Sequence, residues 1–369
     1  MVSIKRLVYI DVWRCIAISL VLLSHIIEYS HPFYAAHWPG LIWRAHPLGQ
    51  LGVQIFFCIS GYVICRGMIR ESASSGAVGM RAFYLRRVFR IMPPLLMYGA
   101  LLALMTWSGM ISVRPGQFAQ SALFACNIQA VGDCGWFLGH TWSLAFEEQF
   151  YLIFPLVFAV SVLRKGRHRL LAMSVALTLA ALGVRLASIW DVGYYLTTFT
   201  FMLWGCVYAL YQDDIASSLA RLPVLAWSAL AFGLVLQNCL PLPQLYEATY
   251  FPTFAPALIC IAVFGTPLRH PLVRTLFNWR RLAYMGQISY MVYLLQQVAT
   301  ANHGFASPLP ALGLVGLAIW LAHLSYGYIE MPLVRFGVVL SARLDVAPSR
   351  TLLMPTDGAE MPVNPQAQA

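Results

Sequence analysis

The segment YIDVWRCIAISLVLLSHIIEY, Tyr9–Tyr29, carries Asp11, Arg14 and His25 inside an apolar run long enough to cross a bilayer. On a helix these three share a stripe. Arg14 and His25 are eleven residues apart, within about 20° of three full turns and roughly 16 Å along the axis, and Asp11 lies one turn before Arg14. Charged groups at such depth cost at least ~2.5 kcal/mol each and face a bundle interior or a wet cavity. A second apolar run, GHTWSLAFEEQFYLIFPL, holds His140, Ser143, Glu147 and Glu148, with Ser143 and Glu147 spaced i, i+4 on one face. A histidine titrates near neutral pH and can take the proton of a hydroxyl. A neighbouring carboxylate can hold the imidazole in one tautomer and favour its charged form. Packing alternatives stand beside this reading: Asp11 and Arg14 as a pair at the headgroup level, and His25 as a hydrogen-bonded core histidine.

The elements that position these residues follow from composition. Of 369 residues 60% are hydrophobic and 10% charged, against roughly 25% charged in an average soluble domain. One crossing takes about 20 mainly apolar residues. Ten such runs are centred near residues 18, 56, 100, 150, 180, 203, 231, 258, 291 and 322. The expected fold is therefore all-α and polytopic, with about ten transmembrane helices in one integral domain, residues 1–343, and a disordered tail, residues 344–369. The first run has no small-residue cleavage site and carries charges, unlike a signal peptide.

The net charge of +10 is a topology signal, with nothing to indicate a nucleic-acid partner. Of 24 Lys and Arg residues, 20 fall in one set of alternate loops and two, Arg44 and Arg114, in the other, while Arg14 and Arg185 lie within runs. The crowded side is cytoplasmic by the positive-inside rule, which puts both termini in the cytoplasm and requires an even number of crossings. Six of the eight cysteines sit in or beside apolar runs. Cys126 and Cys134 share the outer loop FACNIQAVGDCGW, where an oxidising periplasm would join them in a disulfide. His31, His37 and His46 lack the spacing of a metal site. The Ser60–Gly61 pair permits a close helix contact or a kink, and Pro332 is expected to break the helix after Glu330.

Several ordered segments resemble the membrane-bound acyltransferase family 3: Arg14, ten residues and His25; IFFCISGYVI; YLRRVFRIMPPL; TWSLAFEEQFYLIFPL; GQISYMVYLLQ; and YIEMP. The resemblance covers most of residues 8 to 340. It implies about ten helices in the inner membrane and transfer of an acyl group, most often acetyl, from cytoplasmic acyl-coenzyme A to a hydroxyl of a glycan or glycolipid. By motif it assigns catalytic roles to His25, Arg14 and Glu147, and donor binding to Arg86, Arg87, Arg90 and Ser60. Arginine forks suit the phosphates of coenzyme A, although a basic cytoplasmic loop also serves topology alone. Glu147 is expected to orient His25, and Ser143 or the Trp142 indole to meet the oxyanion. One position departs from the pattern: Gln296 stands where relatives often carry His, and an amide cannot take a proton, so His25 becomes the better base.

A polytopic transporter or flippase would also hold intramembrane Asp, Arg, His and Glu. The absence of visible repeat symmetry, together with the cytoplasmic arginines, favours the enzyme. The acceptor's identity, the acyl group and the oligomeric state stay open at this level.

Overall fold

The computed structural model describes residues 7–29, 31–163, 166–238, 244–266, 271–301 and 307–345. Residues 346–369 of the expected tail lie outside the described residues, as do Lys5, Arg6, Arg164, Lys165, Arg269 and Arg350 of the charge count. Among the described residues the regular structure is helical, with no strand. A helix satisfies its own backbone polar groups, which a hydrocarbon surrounding requires.

In chain order the helices are α1 (Val8–Tyr29), α2 (His31–His37), α3 (Pro39–Ser75), α4 (Met80–Trp107), α5 (Pro115–Ala122), α6 (Gly135–Gly139), α7 (Trp142–Phe158), α8 (Arg167–Leu186) and α9 (Trp190–Arg221). After them come α10 (Val224–Asn238), α11 (Gln244–Thr253), α12 (Ala255–Phe264), α13 (Pro271–Phe277), α14 (Arg280–Gln287), α15 (Ser289–Ala299), α16 (Leu309–Ser325) and α17 (Met331–Asp345).

The centre of each of the ten apolar runs falls inside one of these helices. Six stretches are long and apolar enough to cross a membrane by themselves: Val8–Glu28, Ala45–Ser75, Met80–Trp107, Gly135–Leu163, Arg167–Leu186 and Leu309–Arg343. Two bent pairs raise the number of candidate spans to eight, α9 with α10 at 109° and α11 with α12 at 51°. The apolar runs near residues 231, 258 and 291 are thus folded into short or bent helices. The last of them is divided at Ile288 between α14 and α15. An apolar run establishes burial; whether it is one straight rod depends on what it packs against.

α3 lies between α1 and α9, and α14 covers another side of α1. The α3–α9 crossing is made by glycine. A Cβ on Gly61 would strike the Met202 carbonyl, and one on Gly205 would strike the Cys58 carbonyl. Two backbones in direct contact gain packing that lipid tails do not offer, which is why small residues mark such crossings. Ser60–Gly61 therefore makes a close contact, not a kink, and α3 runs through it unbroken to the left-handed Gly76 at its C-terminus. Pro332 does not end the last helix either. A π-helical turn, Tyr326–Glu330, carries the chain from α16 into α17. Such a widened turn can absorb the proline's missing N–H. The expected bridge between Cys126 and Cys134 is formed, with the Cα atoms 5.7 Å apart.

Candidate active site

His25 sits near the C-terminal end of α1 and lines a cavity of about 250 Å³ with His46, Trp136, His140, Trp142 and Tyr293. The Trp136 ring centroid is 6.3 Å from that of His25. Gln296, fully buried, is the side-chain hydrogen-bonding neighbour of the His25 ring. Its amide also donates to Gln297 Oε1 at 3.3 Å. Gln297 and Trp136 are tied reciprocally: Trp136 Nε1 donates to the Gln297 carbonyl at 3.1 Å, and Gln297 Nε2 to the Trp136 carbonyl at 3.0 Å. The position where relatives often carry histidine thus sets an amide beside the imidazole. Although three histidines line this cavity, no group of three or more His, Cys, Asp or Glu side chains among the described residues is arranged to hold a metal.

His140 approaches the same cavity from the entrance to α7 and lies within electrostatic reach of His25. It is 6% exposed. Its ring lies between Tyr98 and Tyr293, at centroid distances of 5.6 and 5.2 Å. Neither tyrosine hydroxyl is bonded to the imidazole. Tyr98 donates to the Phe137 carbonyl at 2.6 Å, and Tyr293 to the His140 carbonyl at 2.8 Å. Ser143 Oγ is 2.6 Å from the Tyr293 hydroxyl.

Towards the middle of α7 a second group collects. The Ser60 hydroxyl donates to Glu147 Oε1 at 2.5 Å and accepts from the Tyr151 hydroxyl at 3.0 Å. The Arg87 guanidinium lies 3.8 Å from the centroid of the Tyr151 ring. Arg87, Arg14 and Arg90 all lie within electrostatic reach of the Glu147 carboxylate. The Nε atoms of Arg14 and Arg87 are buried and donate to nothing among the described residues. Arg14 is also 4.0 Å from Asp11, whose carboxylate is buried and accepts from Gln287 Nε2 at 3.4 Å. Asp11 is therefore held against the bundle by α14.

Two sequence expectations change here. Glu147 does not orient His25: its carboxylate is engaged by Ser60 and faces arginines, while Gln296 takes the place beside the imidazole. The reason is helical rise: His140 precedes α7, which begins at Trp142, and Glu147 lies five residues into that helix, about 7.5 Å along its axis. The arginine group also divides. Arg87 stacks on Tyr151 and, with the exposed Arg90, lies within electrostatic reach of Glu147, whereas Arg86 makes a 3.2 Å ion pair with Glu71.

A larger cleft of about 720 Å³ adjoins the His25 cavity, sharing Gln50, Gly139 and Trp142 with it. Asp133 from the disulfide-bridged loop, Arg185, Trp190, Asp191 and Tyr194 line it. Arg185 lies 5.3 Å from the Trp190 ring centroid and donates to Thr197 Oγ1 at 3.4 Å.

The family model described as an acyltransferase domain, acyltransferase family 3, matches residues 7–342. The chain belongs to that family. The chain shares its helices from α1 into α17 with the family model. It is 27% identical over 333 residues to a Bacillus subtilis (strain 168) protein provisionally named a peptidoglycan O-acetyltransferase, covering 77% of this chain and 50% of that protein. It is 28% identical over 327 residues to a provisionally named membrane-bound transacylase of Komagataeibacter xylinus, covering 85% of this chain and 71% of the relative. A provisionally named O-acetyltransferase of Staphylococcus aureus (strain COL) is 30% identical over 149 residues, 37% of this chain and 24% of that protein. The acyltransferase thus spans about half or less of the Bacillus and Staphylococcus proteins. No solved structure matches it.

The residues that sequence reasoning missed around His25 are Trp136, Tyr293 and His46. Each comes from a different segment, and only chain folding brings them to one cavity. A faint signal was present in the pairing of polar Gln296 and Gln297 inside an apolar run.

Proposed function

We propose that this acyltransferase moves an acyl group, acetyl, from cytoplasmic acyl-coenzyme A to a hydroxyl of a surface or secreted glycan, with His25 as the general base. The chain would cross the inner membrane ten times with both termini in the cytoplasm, as the charge asymmetry requires.

The observation that carries this reading is the pair of sites joined by α1. At one level, half-buried Arg14 and Arg87 keep buried Nε–H groups with no partner among the described residues, beside the Glu147 carboxylate. Buried polar groups normally find partners, and guanidinium forks fit the phosphates of a coenzyme. Eleven residues further along α1, about 16 Å, His25 lines the outer cavity. An extended pantetheine arm can bridge that separation, leaving the nucleotide among the arginines and the thioester beside the imidazole. The adjoining cleft supports a glycan acceptor: indole and phenol rings suit the C–H faces of a pyranose, and Asp133, Asp191 and Arg185 suit its hydroxyls.

In the reaction the acceptor hydroxyl gives its proton to the basic nitrogen of His25 as its oxygen attacks the thioester carbonyl. The tetrahedral intermediate collapses with rupture of the C–S bond. The coenzyme thiolate then takes the proton from the imidazolium, leaving an O-acyl ester, free coenzyme A and neutral His25. The Gln296 amide beside the ring would help to orient it without itself titrating.

The test is made in a deletion strain carrying the wild-type chain or His25→Ala. Mass spectrometry of its surface glycans should find base-labile acetyl groups only with the wild type. Removing a general base costs about 10²- to 10⁴-fold, at unchanged protein abundance in the membrane. Acetylation within a few fold of wild type in His25→Ala would reject the base assignment.

A further inference from the structure

We propose that His140 is a further catalytic residue, whose ring N–H donates to the oxyanion that forms on the thioester carbonyl when the acceptor attacks. The proposal rests on the acyl-transfer reading above and supplies the electrophilic partner that it lacks.

The geometry that points to it begins with an unmet requirement. His140 is more than nine-tenths buried, lines the His25 cavity, and neither ring nitrogen has a hydrogen-bond partner among the described residues. Burying a polar ring with both nitrogens idle is costly, and such a group calls for an explanation. The neighbours that could have met it are bonded elsewhere. The Tyr98 hydroxyl goes to the Phe137 carbonyl, and the Tyr293 hydroxyl goes to the carbonyl of His140 itself. Those bonds fix the ring: one tyrosine holds its backbone, and both pack against the imidazole with centroids 5.6 and 5.2 Å away. The result is a rigid donor whose polar edge is left for whatever enters the cavity.

Its role is separated from that of His25 by what surrounds each ring. His25 has Gln296 beside it as an orienting amide, the arrangement a base needs. His140 has no such orienting side chain bonded to its ring. An imidazole presents at least one N–H in either protonation state, so it can stabilise an oxyanion without exchanging a proton, and a preorganised donor in a water-poor site has its largest effect on a charge that develops during reaction. Ser143, the alternative drawn from sequence, is spent on Tyr293. The atoms balance as before: the proton moves between the acceptor, His25 and the leaving thiolate, and His140 keeps its own.

The test uses the full chain in inverted inner-membrane vesicles, which expose the cytoplasmic face to added acetyl-coenzyme A and retain the cell's own acceptors. Thiol release and acetyl incorporation are measured together, normalised to folded protein by monodisperse elution in detergent. His140→Ala should lower the maximal rate by about 10²- to 10³-fold, with the apparent KM for acetyl-coenzyme A within about twofold of wild type. His140→Gln restores an N–H donor without a titrating group and should recover at least about tenfold of that loss. A merely structural role would move folded yield and KM, and would not be rescued by an amide.

If His140→Ala retains the rate within a few fold, or if His140→Gln is no better than His140→Ala, the oxyanion role is overturned. The controls separate this from failure of the wider reading. Should wild-type vesicles release no thiol from acetyl-coenzyme A, or should His25→Ala stay active, the acyl-transfer scheme falls and this role with it.

Discussion

The Ser60 hydroxyl donates to Glu147 Oε1 at 2.5 Å, and this bond links α3 to α7 across 87 residues of sequence. It joins the family's SG segment to its WSL segment and sets the carboxylate among Arg14, Arg87 and Arg90. A buried carboxylate needs such partners, because an isolated one is far too costly to bury.

Ser60→Ala is expected to lower stability by about 1.5–3 kcal/mol, the range for a hydrogen bond to a charged group. Glu147→Gln should be at least as destabilising, since it leaves arginines without their counter-charge. In a double-mutant cycle read by thermal unfolding in detergent, the two losses should be markedly less than additive. Additive losses would mean that the bond contributes nothing.

The donor site predicts that charge alone is insufficient. Arg87→Lys and Arg90→Lys keep the positive-inside signal but remove the planar fork, and Arg87→Lys also loses the stack on Tyr151. Both should raise the apparent KM for acetyl-coenzyme A by about tenfold, with membrane orientation unchanged. Arg86→Lys should have a smaller effect, because Arg86 is paired with Glu71. Wild-type donor kinetics in both the Arg87 and Arg90 variants would move the donor site elsewhere.

The glycine crossing of α3 and α9 leaves no room for a side chain. Gly61→Leu or Gly205→Leu must push the helices apart, and overpacking of this kind costs typically about 1–3 kcal/mol or more. Folded yield and thermal stability should fall sharply in both. Gly67→Ala, in the same helix with open space around it, is the control and should fold as wild type.

The outer cleft predicts a loss in acceptor use without a loss in donor use. Trp190→Ala removes an aromatic wall remote from the His25 cavity and should reduce surface glycan acetylation by about tenfold. The apparent KM for acetyl-coenzyme A should not change. An effect confined to donor kinetics would separate this cleft from the acceptor.

The amino-acid sequence by itself determined the membrane character, the helical class, the one-sided bias of the arginines and the stripe of Asp11, Arg14 and His25, because each follows from local composition or from the 3.6-residue period of one helix. It also placed the bridge between Cys126 and Cys134, whose partners are only eight residues apart. What the tertiary structure decided is every pairing between helices. His25 met Gln296 and His140 instead of Glu147, Ser60 became the partner of Glu147, and Arg86 parted from Arg87. Periodicity states which face of a helix is polar, but the rotation and height at which two faces meet depend on close approaches such as Gly61 on Met202 and Gly286 on the Asp11 carbonyl. Those contacts lie between residues far apart in the chain, and no local pattern encodes them.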